Sequence, residues 1–270
     1  MRKNVNANCC SAEPEPLTPA KRVIKDFYDT VAVGSGPYPA STDRFSPAAP
    51  TEKILEYVKR TNCRRILDVG CGMGTTLLRM AQEHVSGVQF IGVDFSEKMI
   101  ERARTSSLSL HDDLRKKIGF FVANAESLPY MEGQFDFVFS ECVLNLIPER
   151  EKAIAEVMRV LAPGGMFVYT DFVAFSPISN SIRDNLNLVS GCRAGSKTLS
   201  ENIRLLEETG FVKIECIDFT SDKNKRYADL MNESEQIRRE FEEFRNLYPD
   251  AAAFLDERVG YYLILGCKPI

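Results

Sequence analysis

Between residues 64 and 170 short apolar runs alternate with helical stretches, and this alternation restricts the chain more than any other feature. Runs at 66–69, 88–93, 118–123, 135–139 and 166–170 are predicted strands. The stretch 75–81 turns Leu77, Leu78 and Met80 to one side of a helix, and 96–105 does the same with Met99, Ile100 and Ala103. A further amphipathic helix, 149–161, is stopped by Pro163-Gly-Gly165. Apolar strands separated by amphipathic helices must bury both sheet faces, so the expected fold is α/β, a Rossmann-like doubly wound and mostly parallel sheet.

Outside that core, 18–33 carries Val23, Ile24, Phe27 and Tyr28 at helical spacing, and 34–39 breaks it. Residues 51–58 form a predicted helix opened by Thr51 as its cap. Downstream, 198–209 is a helix ended by Gly210, 211–219 a strand, about 223–247 a charged helical stretch and 261–265 a last strand. The charged stretch is expected to be a cap or lid inserted between the two final strands. The chain is expected to divide into a flexible N-terminal arm, 1–17, a helical cap, 18–62, and a main domain, 63–270, with a helical insert at about 223–257.

Lys and Arg number 34 against 38 Asp and Glu, a net charge of −4, so no basic field exists to track nucleic acid. No apolar stretch approaches the ~20 residues of a membrane helix, and a polar start follows Met1, so a cytoplasmic, unexported protein with no membrane partner is expected. The eight cysteines, Cys9, Cys10, Cys63, Cys71, Cys142, Cys192, Cys216 and Cys267, include no CxxC pair, and only His84 and His111 accompany them. A metal site and a disulfide scaffold are therefore not expected, and both histidines are expected to be solvated.

The chemistry-bearing segment is Asp68-Val-Gly-Cys-Gly-Met-Gly74, where the first strand gives way to a helix. Gly70, Gly72 and Gly74 allow backbone to approach a ligand at a strand's carboxyl end. The spacing is GxGxG, with Thr75 where a dinucleotide fingerprint would carry glycine, which favours a ligand without a pyrophosphate. Asp94, at the end of the second strand, is placed to accept both hydrogen bonds of a ribose diol, with Phe95 beside it. Asn124, Ala125 and Glu126 follow the third strand, where a purine edge would lie.

These segments, with Val93-Asp-Phe-Ser96, Asn124-Ala-Glu-Ser-Leu-Pro129, Phe135-Asp-Phe-Val138 and Val160-Leu-Ala-Pro-Gly-Gly165, resemble the ordered motifs of class I S-adenosylmethionine-dependent methyltransferases over about residues 50–220. The resemblance implies a seven-stranded sheet whose last strand is antiparallel, S-adenosyl-L-methionine as cofactor, Asp68 and the glycine loop facing its methionine moiety, Asp94 its ribose and the region 124–126 its adenine.

Two cysteines extend the likeness. The stretch 140–165 with Cys142, and Cys192 in a Gly-Cys-x-x-Gly turn ahead of Leu199-Ser-Glu and Gly210-Phe211, is similar to arsenite methyltransferases. That likeness implies that Cys142 and Cys192 hold trivalent arsenic as soft thiolate ligands, the arsenical being arsenite or methylarsenite, with a thiol reductant as partner. Residues 18–62 lack the further cysteines usual in that family; Cys63 abuts a strand, and Cys9-Cys10 lies on an arm able to fold over the site. Two thiols suit a monomethylated arsenical, and arsenite itself asks for a third. The alternatives are a small organic O-, N-, S- or C-acceptor with the cysteines as packing residues, and a donor-binding regulatory protein without turnover. Tyr28, in a helix able to close over the donor, offers a hydroxyl or ring face to the pocket, but a lone aromatic at helical spacing more often belongs to the core.

Overall fold

A computed structural model of the chain describes residues 17–34, 47–83, 87–188 and 191–270. Strand β1 (Arg65–Val69) is its centre: Ile66, Leu67 and Val69 are at most 1% exposed, and β2 (Gln89–Asp94) and β4 (Phe135–Glu141) pair with it in parallel. β3 (Ile118–Val122) lies parallel beyond β2, and β5 (Leu161–Ala174) parallel beyond β4. The last strand, β8 (Val259–Cys267), inserts antiparallel between β5 and β7 (Val212–Asp218). The order is β3-β2-β1-β4-β5-β8-β7, and a two-residue strand, β6 (Lys197–Thr198), pairs with β5. The mostly parallel doubly wound sheet with an antiparallel final strand is thus present, with β6 as a short addition.

Each sheet face has its own apolar layer, because successive strand residues point to opposite sides. Ile66, Phe90, Phe137 and Phe139 meet Ile54, Leu55 and Val58 of α2 (Ala48–Arg60), Leu77 and Met80 of α3 (Thr75–Glu83) and Ile100 and Ala103 of α4 (Glu97–Ser107). On the other face Leu67, Val138 and Phe167 meet Ile154, Val157 and Val160 of α6 (Arg150–Val160) and Leu205 and Leu206 of α8 (Leu199–Thr209). α1 (Pro19–Ala32) packs against α4, and the short helices α5 (Asp112–Arg115) and α7 (Asn180–Arg183) serve as connections. Between β7 and β8 stand α9 (Thr220–Glu233), α10 (Glu235–Leu247) and α11 (Pro249–Glu257).

Several sequence expectations need correction. β5 is far longer than 166–170: it starts directly after α6, and a register shift between Phe135 and Phe137 absorbs the Pro163-Gly164-Gly165 segment. Its extra end, to Ala174, is buried against β8. The charged stretch is three helices, because Ser234 ends α9 and caps α10, accepting from the Ile237 N–H at 3.3 Å, and Pro249 opens α11. Thr51 does not cap a helix. α2 starts at Ala48, which places Thr51 inside its first turn, 1% exposed, with its hydroxyl donating to Glu141. His84, Cys9, Cys10 and the arm to residue 16 lie outside the described residues. No helix among the described residues is long and apolar enough to cross a membrane.

α8 illustrates how local chemistry sets an element. Thr198 and Glu201 form a reciprocal capping box, and Gly210, at φ 98°, closes the helix in the left-handed region. Thr198→Ala is expected to lower stability by about 1 kcal/mol, read as a melting temperature roughly 2–4 °C lower.

Candidate active site

The carboxyl ends of β1, β2, β4 and β5 open into one cavity of about 540 Å³, roofed by α1 and by α9 and α10, within the range typical of small-ligand sites. Its floor is the glycine loop. Gly70 has φ 79°, and a Cβ there would lie 2.4 Å from the Val143 side chain, so both conformation and space require glycine. At Gly72 nothing lies within 4 Å of an added Cβ, so this stretch of backbone faces open cavity. Gly74 packs its Cα under the Phe120 ring and is not part of the wall, whereas Phe95, Asn124, Ala125 and Glu126 are.

Asp94 holds the loop in place: its carboxylate accepts from the Gly72 N–H and from the Ser96 N–H, each at 2.9 Å. Burial pushes its carboxyl upward, while the N–H groups of Ser96, Gly72 and Phe95 pull it back. Asp68, 4% exposed, receives no hydrogen bond from any described residue, and burial, with Glu141 and Asp94 nearby, raises its carboxyl well above the usual range. Glu141 accepts from the Thr76 hydroxyl at 2.6 Å and from Thr51. Three carboxylates therefore crowd one end of the cavity, an arrangement that favours a cationic ligand.

The rim is tied to α1. Lys21 is ion-paired with Glu126, which also accepts from the Glu149 N–H at 3.1 Å, and Asp29 accepts from the Ser96 hydroxyl. Asn124 accepts from the Glu126 N–H at 3.0 Å.

At the other end the structure brings Cys142 and Cys192 together. Cys142, just past β4, sits at φ 61°, in the region that favours glycine, and its N–H donates to the Thr170 carbonyl at 2.7 Å. The Cys192 thiol lies 3.3 Å from the Cys142 carbonyl oxygen and 3.6 Å from the Tyr28 hydroxyl. The neighbouring Cys192 thiol, followed by burial, raises the Cys142 thiol well above its ordinary value and keeps it protonated at neutral pH. Phe172, Ile178, Leu255, Tyr227 and Phe244 pack around the pair, and Phe241 extends the same cavity wall.

Tyr28 thus lines the site, the less favoured of the two readings its position allowed. Cys63, 8% exposed, packs among Ile54, Val58 and Ile66 and is not in the wall. His111 is solvated, its side chain 80% exposed. Sequence reasoning missed Lys21, Asp29, Thr51, Thr76 and Glu141. Only Glu141, polar at the carboxyl end of a strand, carried a local signal.

The family described as methyltransferase domain matches residues 61–244. An arsenite methyltransferase from Halobacterium salinarum is 28% identical over 214 residues, 78% of this chain, and the chain spans about half of that protein, 51%. Norajmaline N-methyltransferase from Rauvolfia serpentina is 28% identical over 222 residues, 77% of this chain and 73% of that one. Among solved structures, Haemonchus contortus phosphoethanolamine N-methyltransferase 2 with S-adenosyl-L-methionine superposes with a TM-score of 0.70 at 21% identity, covering 95% of this chain and 61% of that one. The [4+2]-cyclase SpnF superposes with a TM-score of 0.67 at 23% identity, covering 95% of this chain and 98% of that one. Neighbours of such different reactions show that the fold alone does not select a chemistry. The match over more than half of the sequence, joined to a strand-end cavity of this construction, places the chain in the methyltransferase domain family.

Proposed function

We propose that the chain binds S-adenosyl-L-methionine and transfers its methyl group to a trivalent arsenical held by Cys142 and Cys192. The cavity suits that donor. Its ammonium and sulfonium are cationic, and Asp68 is a buried carboxylate that receives no hydrogen bond from any described residue. Each Asp94 oxygen accepts one backbone N–H, leaving lone pairs for a ribose diol. When bound, the donor supplies an electrophilic methyl on a sulfonium, so the protein's task is alignment and exclusion of water.

One observation carries the acceptor assignment: the Cys192 thiol lies 3.3 Å from the Cys142 carbonyl oxygen, and both cysteines line the same cavity as Asp68 and Asp94. The two thiols would condense with an arsenical bearing two hydroxyls; two As–S bonds form, two S–H and two As–O bonds break and two waters leave. The arsenic keeps the lone pair that would attack the methyl carbon, an As–C bond forming as the sulfonium C–S bond breaks and S-adenosylhomocysteine leaves with that electron pair. Methylation raises arsenic by two electrons of formal oxidation, so a thiol reductant must return those electrons before the next turnover.

Titration calorimetry of the reduced protein with methylarsenite tests this reading. The expected result is tight one-to-one binding lost in Cys142→Ser. Because Cys142 is protonated and water is the species released, affinity should stay nearly flat between about pH 6 and 8, whereas a metal cation would displace protons and bind better as pH rises. Absence of arsenical binding would favour a second reading, a small organic acceptor. The apolar wall of Phe172, Tyr227, Leu230, Phe241, Phe244 and Leu255, larger than an arsenic centre alone requires, supports that alternative.

A further inference from the structure

Three residues beyond Cys142 stands Asn145, and three residues beyond Cys192 stands Gly195. Asn145 is 8% exposed and every polar atom of its side chain is engaged. Its backbone N–H donates to Asp171 at 2.9 Å; its side-chain nitrogen donates to Asp171 at 2.7 Å, to the Phe172 carbonyl at 2.9 Å and to the Ser196 hydroxyl at 3.3 Å. Its side-chain oxygen accepts from Arg150 at 2.9 Å. Arg150, 3% exposed, reaches on to Asn202, whose amide donates to the Thr198 carbonyl at 2.8 Å. One buried network therefore joins the turn after β4, the end of β5 and the segment that carries Cys192 into α8.

The closest approach is backbone to backbone. A Cβ on Gly195 would lie 1.9 Å from the Asn145 carbonyl oxygen, far inside the 3.0 Å that real Cβ atoms keep. The requirement for glycine here is one of space alone, since Gly195 is not among the residues at positive φ.

We propose that Asn145 and Gly195 are positioning residues that set the separation of the two thiols, by seating the Cys192 segment directly on the turn that follows Cys142. The proposal deepens the dithiol reading above and rests on it. The cysteines supply the donor atoms; the spacing between them is a property of the Asn145–Gly195 contact. Two-point ligation tolerates little error in that spacing, of the order of 0.5 Å in a preorganised site. Gly195→Ala must open the contact by about 1 Å or more before its methyl group fits.

The test uses reduced full-length protein and dibromobimane, a reagent that becomes fluorescent when it bridges two nearby thiols. The signal counted is the part that Cys142→Ser abolishes, which excludes bridging elsewhere in the chain. In Gly195→Ala this bridging is expected to fall about tenfold or more, and methylarsenite to dissociate faster by a similar factor. Alkylation by a monofunctional reagent and affinity for S-adenosylhomocysteine should stay within about threefold of wild type, which a loss of fold would not permit. Asn145→Ala, which leaves Asp171 and Arg150 short of partners, should lower both the melting temperature and the bridging yield of the folded fraction. Wild-type bridging in folded Gly195→Ala would overturn the proposal. Bridging lost in the variant while wild type ignores every arsenical would sink the acceptor assignment and leave the positioning role standing.

Discussion

Replacing Cys142 or Cys192 by serine should reduce methylarsenite affinity by about 100-fold or more, because a single As–S bond forfeits the chelate that two neighbouring thiols create. Serine is close to isosteric and is an L-residue like cysteine, so it adds no new strain at the positive φ of Cys142. The Cys142 N–H to Thr170 carbonyl bond is backbone only and survives the substitution. Affinity for S-adenosylhomocysteine should therefore stay within about twofold, since the donor end of the cavity is built from β1 and β2. Loss of arsenical binding with donor binding retained separates the two ends of the site. Unchanged arsenical affinity in both variants would return the cysteines to packing.

Asp94→Ala is the complementary experiment and should have its effect at the donor end. The substitution removes the acceptor of the Gly72 and Ser96 N–H groups as well as the partner of a ribose diol. Charge-assisted hydrogen bonds contribute about 1.5–3 kcal/mol each, so donor affinity should fall by at least about 100-fold. The Cys142–Cys192 pair, on different segments, should bind methylarsenite as before. Equal donor affinity in Asp94→Ala, measured by titration with S-adenosylhomocysteine, would mean that the ribose lies elsewhere.

The parts of the fold and site that were legible in the sequence are those determined locally. Apolar runs at strand spacing, the glycine turn and Asp94 all declare themselves within a few residues, because strand, turn and helix signals are short-range. The end of β5 was not legible: Asp171 to Ala174 become strand through pairing with β8, whose partners lie far along the chain. The three-helix insert was seen as helical, but its break at Ser234 rests on a cap that a charged, evenly periodic stretch conceals. Within the site, Lys21 meets Glu126 across 105 residues and Thr51 meets Glu141 across 90, separations that no motif spans. Tyr28 looked like a core aromatic because helical spacing reports which residues share a face and not what that face covers. The juxtaposition of Cys142 and Cys192, 50 residues apart, was expected only through family resemblance; in the structure it rests on Asn145, Asp171 and Gly195.

The measurement that bears most directly on the account is transfer of a labelled methyl group from S-adenosyl-L-methionine to methylarsenite by the reduced protein, with a panel of phenols, amines and thiols in parallel. Labelled dimethylated arsenic from wild type, and none from Cys142→Ser or Cys192→Ser, is the predicted result. Label appearing in an organic acceptor at rates indifferent to both substitutions, with no label in any arsenical, would contradict it.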